Sequence, residues 1–144
     1  MIALIQRVTE ARVLIDDKAI GRIGHGLLVF MAVEPGDTQS HCERLCRKVT
    51  GYRVFADQEG KMNLDVRQAG GALLIVSQFT LAADTTGGLR PSLKSAPPEK
   101  AKTLYRQFVE CCRSRSIPTE AGCFGANMQV HLINNGPVTF LLRT

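Results

Sequence analysis

The stretch ALLIVSQFTL, residues 72–81, decides the fold of this chain. Its first half is uniformly apolar, as a strand covered on both faces must be. It turns polar at Ser77-Gln78 while still reading as extended, so one central strand is expected from Ala72 to Leu81. Upstream, His25 to Val33 is a second apolar strand. Around these two, alternation at period two predicts shorter strands at Met1–Val8, Ala11–Ile15, Lys18–Ile23 and Met62–Val66, with Asp16-Asp17 and Asp57–Gly60 as turns. Phe124 to Ile133 reads as a further strand, with Phe124, Ala126, Met128, Val130 and Leu132 on one face. Asn134-Asn135-Gly136-Pro137 then reads as a turn and Val138–Leu142 as the last strand.

Two helices interrupt the strands. Pro35-Gly36-Asp37 breaks the pattern, and Asp37 or Thr38 caps a helix over residues 38–51. Its stripe of Cys42, Leu45, Cys46 and Val49 recurs at three and four residues. Pro97-Pro98 opens a second helix, to about Arg115, with Ala101, Leu104, Tyr105, Phe108, Val109 and Cys112 on its inner face. Residues 83–96, rich in Thr, Gly, Ser and Pro, read as a loop. There is no internal repeat and no composition break. The expectation is one domain over 1–144 of the α/β (α+β) class: a mostly antiparallel, barrel-like sheet with two covering helices.

Composition narrows the function. The chain has 144 residues, 44% of them hydrophobic, enough for a core. The longest apolar run, Gly26–Val33, is far short of a membrane span. The first ten residues, MIALIQRVTE, lack the layout of a signal peptide, so a cytoplasmic location is expected. The 18 basic against 13 acidic residues give +5, which admits a polyanionic partner without requiring one. The five cysteines read as reduced core residues. Neither Cys42/Cys46 nor Cys111/Cys112 has zinc-ligand spacing, so no metal and no cofactor are expected.

Three segments break local rules. Ser77-Gln78-Phe79-Thr80-Leu81 is either a strand emerging into solvent or the floor of a pocket with Ser, Gln and Thr as hydrogen-bonding groups. Thr80 as a nucleophile needs a base, and no motif links it to His25, His41 or His131. Asn134–Thr139 pairs the strongest hairpin dipeptide, Asn-Gly, with a Pro that cannot donate to a ladder. It is either a simple turn at a sheet edge or a rigid peptide that aims its carbonyls. Gly87-Gly88-Leu89-Arg90-Pro91-Ser92 is either an ordinary surface loop or a phosphate contact through Arg90.

Taken together, these segments resemble the bacterial D-aminoacyl-tRNA deacylases, first described as D-tyrosyl-tRNA deacylases. The similarity runs end to end: MIALIQRV (1–8), GLLVF (26–30), GYRVFADQEGKMNLDV (51–66), GGALLIVSQFTLAAD (70–84), LRPS (89–92) and FGANMQVHLINNGPVTF (124–140). The paired SQFTL and NNGPVT motifs are the family's signature. The resemblance implies a homodimer with an active site at each interface. It implies hydrolysis of the ester joining a D-amino acid to the 3′-terminal adenosine of tRNA, as translation quality control, and removal of glycine from mischarged glycyl-tRNA. Gly136-Pro137 is implied to be a cis dipeptide inserted into the partner's pocket, where its carbonyls exclude an L side chain. Asn135, Val138, Thr139 and Met128 belong to the same filter, while Ser77, Gln78, Phe79 and Thr80 line the pocket near the ester. The family admits two schemes, with either the Thr of SQFTL or the substrate's ribose 2′-OH in the attacking role. The missing base favours the second, with backbone N–H groups around the ester oxygen.

The sequence departs from the family at Asn135 and Asn127, where Asp is common, and at Leu93, where an aromatic is usual. The rival from another class is a non-catalytic module that holds tRNA or a D-amino acid. Related folds with a trans Gly-Pro act on L-aminoacyl-tRNA, but carry another motif in place of SQFTL.

Overall fold

The computed structural model describes residues 1–144. In chain order the strands are β1 (Ile2–Ile15), β2 (Lys18–Ile23) and β3 (Gly26–Ala32), followed by α1 (Gln39–Thr50), β4 (Phe55–Ala56), β5 (Met62–Leu64) and β6 (Ala72–Ser77). After β6 come a 3-10 turn at Phe79–Ala82, then β7 (Ala83–Asp84), β8 (Ser92–Leu93), α2 (Pro98–Arg113), β9 (Thr119–Ala121) and β10 (Gln129–Arg143). The main sheet runs β10-β1-β3-β6-β9, with β2 also on β1. Gly21 of β2 lies against Leu74 and the Ala121 carbonyl, which brings the sheet's two ends together into a nearly closed barrel.

Pairing is antiparallel around β1, while β6 runs parallel to both its neighbours, β3 and β9. This explains why ALLIV carries no alternation: Leu73, Leu74, Ile75 and Val76 are all buried. Leu73 and Ile75 join the core under the helices, and Leu74 and Val76 fill the barrel interior with Val8, Val13 and Leu28. The close fit of β3 on β6 demands glycine at 26, where an added Cβ would overlap the Ala72 backbone.

The helices cover one face as expected. Cys42, Leu45, Cys46 and Val49 of α1, and Leu104, Tyr105, Phe108, Val109 and Cys112 of α2, are all buried. Thr38 caps α1, its N–H donating to His41 Nδ1. Asp37 is engaged elsewhere, accepting from the Met1 amine and the Glu34 N–H.

Four local expectations are corrected. Met1–Val8 and Ala11–Ile15 belong to one 14-residue strand, because each half finds its own partner, β3 for the first and β2 for the second. The loop at 83–96 contains the short β7–β8 pair. The central strand stops at Ser77 and not at Leu81. Finally, Asn134–Pro137 is not a hairpin turn, and no strand starts at Phe124. One strand, Gln129–Arg143, passes straight through, because β1 is long enough to pair with both its ends.

Candidate active site

A cleft of about 530 Å³ opens where the sheet frays. β9 accompanies β6 only as far as Ile75. Gly122 then donates a last hydrogen bond to the Ile75 carbonyl (2.8 Å), and the chain peels away through Phe124–Met128. The first turns of α2, through Pro98, Ala101 and Tyr105, roof the gap. Tyr105 acts as a strut across it: its hydroxyl donates to the Ile75 carbonyl (2.9 Å), with the Gly122 carbonyl at 3.1 Å. Burial pushes this phenol's pKa up, keeping it neutral.

The polar end of the cleft is the end of β6. Ser77 is still in register with Met31 of β3, and the Gln78 N–H donates to the Met31 carbonyl (2.8 Å). Past this pin, with no β9 alongside, the chain coils into the 3-10 turn, closed by Leu81 N–H to the Gln78 carbonyl (3.1 Å). The Gln78 amide donates to Thr80 Oγ1 at 2.6 Å. Ser77, Gln78, Phe79, Asn127 and Met128 all line the cleft. Phe79 is 56% exposed, a large apolar ring left available at the rim. Thr80 lies outside the lining, on the solvent side of the turn.

The lining is uncharged. It contains no Asp, Glu, Lys, Arg, His or Cys, and Tyr105 is its one ionisable side chain. Of the three histidines, His25 stacks edge-on against Phe55, His41 serves the α1 cap, and His131 is exposed on β10. Thr80, at the edge of the cleft, therefore finds no base in the lining beside it.

The second motif sits apart from this cleft. Between Gln6↔Thr139 and Val8↔Asn134, one residue of β1, Arg7, opposes four of β10. The three surplus residues bow outward as a large, irregular bulge, in which Asn135, Gly136 and Pro137 are exposed. The Gly136–Pro137 bond is cis. Arg7 holds the bulge from beneath, its Nε donating to the Asn135 carbonyl (2.9 Å) and its Nη1 to the Val54 carbonyl (2.6 Å). The Asn134 amide ties both ends, donating to the carbonyls of Arg7 (3.0 Å) and Val138 (3.2 Å). Gly136 has to be glycine, since a Cβ there would lie 2.3 Å from Asn134 Oδ1 and 2.7 Å from the Val138 nitrogen.

A family profile described as D-Tyr-tRNA(Tyr) deacylase matches residues 4–143. The chain belongs to that family. It is 59% identical to the D-aminoacyl-tRNA deacylase of Photorhabdus laumondii and 57% identical to that of Salmonella typhimurium, with 99% of both chains covered in each case. Among solved structures, the c-Myc DNA Unwinding Element Binding Protein superposes with a TM-score of 0.95 at 38% identity, over 100% of this chain and 99% of the other. A probable eukaryotic D-amino acid tRNA deacylase, at 17% identity and a TM-score of 0.84 over 99% and 98% of the two chains, shares the fold. As an enzyme of this family, the chain is a hydrolase.

The deacylase thus keeps its two signature motifs in different places. Val138 is buried in the core, and Thr139 is exposed, within 3.2 Å of the Gln6 amide. These two residues anchor the far side of the bulge. Arg90 and Leu93 are exposed, in the β7–β8 loop and on β8, outside the cleft. The sequence placed Asn134 in the rule-breaking segment and Tyr105 on the buried face of α2, but gave neither these two nor Arg7 a propping role. Arg7 left one signal, as a charge on the opposite face from Ile2, Leu4 and Val8, but its partner is 128 residues away.

Proposed function

We propose that this deacylase hydrolyses the ester between a D-amino acid and the 3′-terminal adenosine of tRNA in the cytoplasm, and also clears glycyl-tRNA mischarged on a non-cognate tRNA. The cleft holds the aminoacyl-adenosine end. Phe79 packs on a flat or apolar group at the rim, and Ser77 and Gln78 supply polar contacts beside the ester. Arg90, on its exposed loop, contacts the RNA backbone. A second copy of the chain lowers its Gly136–Pro137 bulge into the cleft. The backbone carbonyls of that bulge sit where an L side chain would project, so the stereocentre is judged whatever the side chain.

Distance supports the cross-subunit filter. Val130 lines the cleft, and Gly136 follows six residues later, about 20 Å of extended strand. A chain cannot fold its own bulge back into its own cleft without dismantling β10. The uncharged lining carries the mechanistic half of the proposal. With the Tyr105 phenol held neutral and no other ionisable group in the lining, the nearest activating group is the substrate's own ribose 2′-OH, and the protein supplies orientation and N–H groups toward the developing oxyanion.

The deciding assay presents D-tyrosyl-tRNA and L-tyrosyl-tRNA side by side at catalytic enzyme concentration and follows release of tyrosine. Release from the D ester alone is expected. Equal release from both esters would overturn the filter, and release from neither, with folded dimeric protein, would overturn the reading as a whole. Replacing the terminal adenosine by 2′-deoxyadenosine is expected to lower turnover at least about a hundredfold, the usual weight of a positioned proton-transfer group. Sedimentation should show a dimer, and an active monomer would refute the cross-subunit arrangement.

A further inference from the structure

Away from the cleft, four cysteines meet between α1 and α2. Cys46 Sγ and Cys112 Sγ are 3.7 Å apart, and both side chains are fully buried. Cys111 and Arg115, both partly buried, flank Cys46 from the end of α2. The Arg115 Nε is buried and has no hydrogen-bond partner. A buried donor without an acceptor is costly, and the groups beside it are sulfurs. Nothing in the deacylation chemistry uses this cluster.

We propose that Cys46 and Cys112 form a peroxide-reactive dithiol that closes to a disulfide linking α1 to α2. The Cys46 thiolate attacks one peroxide oxygen and breaks the O–O bond, giving a sulfenic acid and releasing water or an alcohol. The Cys112 thiol then attacks the Cys46 sulfur, forming the S–S bond and expelling water. Two electrons pass from the dithiol to the peroxide. The positive charge of the Arg115 guanidinium, beside Cys46, favours the thiolate.

The cluster separates these thiols from the others. The hydrogen bond from Cys112 draws Cys46 well below the ordinary thiol range against its own burial, with Cys111 and Arg115 adding to the effect, and Cys112 is pushed up in return. Cys42 shows the opposite case: its thiol donates to the Leu104 carbonyl, and burial raises its pKa to about 12, so it stays an unreactive thiol.

The test exposes the folded, full-length protein to hydrogen peroxide at pH 7, blocks the remaining thiols in denaturant and maps tryptic peptides. Cys46 lies on residues 45–47 and Cys112 on 107–113, whereas Cys42 (23–44) and Cys123 (116–143) fall on separate peptides. The expected product is a cross-link between 45–47 and 107–113, located at Cys112 by fragmentation and reversed by dithiothreitol. It forms before the exposed Cys123 is consumed. Arg115→Gln, at a partly exposed position, removes the cation beside Cys46 and is expected to slow it measurably, about twofold at pH 7. Oxidation of Cys123 with Cys46 and Cys112 intact would overturn the proposal. So would a cross-link through Cys111, or a rate unchanged in Arg115→Gln.

Discussion

The end of β6 and the bulge of β10 are both polar interruptions of apolar strands, yet they are built in opposite ways. At Ser77–Ala82 the strand loses its neighbour and the chain curls inward, so side chains line a hollow. At Asn134–Val138 the strand keeps its neighbour at both ends and gains surplus residues, so the backbone itself bows outward. The hollow is stiffened by a strut across it, Tyr105, and the bulge by two props beneath it, Arg7 and Asn134. A side-chain surface adapts to its contents, whereas a propped backbone does not. Selectivity is therefore expected to be more fragile at the bulge than at the hollow.

The largest effect is expected from Gly136→Ala. Its new methyl must displace Asn134 or the Val138 nitrogen, so turnover of D-tyrosyl-tRNA should fall a hundredfold or more, with melting temperature little changed because the bulge is exposed. Steady-state kinetics beside a thermal melt would check this. Arg7→Ala comes next. Losing the grip on the Asn135 and Val54 carbonyls frees the bulge by an ångström or so, a misplacement that costs up to about a hundredfold in rate. Arg7→Lys should not restore activity, since one ammonium cannot span both carbonyls in the guanidinium's fork.

Effects at the hollow should be smaller. Tyr105→Phe leaves the Ile75 carbonyl without its phenol donor and should cost about 1–2 kcal/mol in denaturant unfolding. The same variant has a pH signature. Because the folded phenol titrates above its unfolded value of about 10, its contribution is full below that pH and lost as pH rises further. Stability of Tyr105→Phe should accordingly fall less steeply in alkali than that of the parent. The smallest effect belongs to Thr80→Ala. The hydroxyl lies outside the cleft and only accepts from Gln78, so turnover should stay within about tenfold. A thousandfold loss with the fold intact would make Thr80 the nucleophile.

Much of this was legible in the sequence, because burial imposes periodicity. The stripes of α1 and α2, the two-faced burial of β6 and the turn at Asp16-Asp17 follow from residue spacing. Three things did not. Ser-Gln-Phe-Thr reads as the end of a strand, either emerging into solvent or flooring a pocket, and only the early end of β9 lets the chain coil there. Asn-Gly is a hairpin signal locally, but the length of β1 turns it into a bulge. Arg7 is one more charged residue near the chain start until the sheet brings residue 135 beside it. The resemblance to a family supplied the pairing of the two motifs, while the props that hold them had to come from the structure.

The uncharged lining has a kinetic consequence. An enzyme whose catalytic groups titrate near neutrality has a bell-shaped rate profile of its own. This cleft has one ionisable wall residue, held neutral well into alkali. If the cleft holds the ester as proposed, its pH–rate curve across the neutral range is expected to belong to the ligand, with the protein acting as a mould of constant shape.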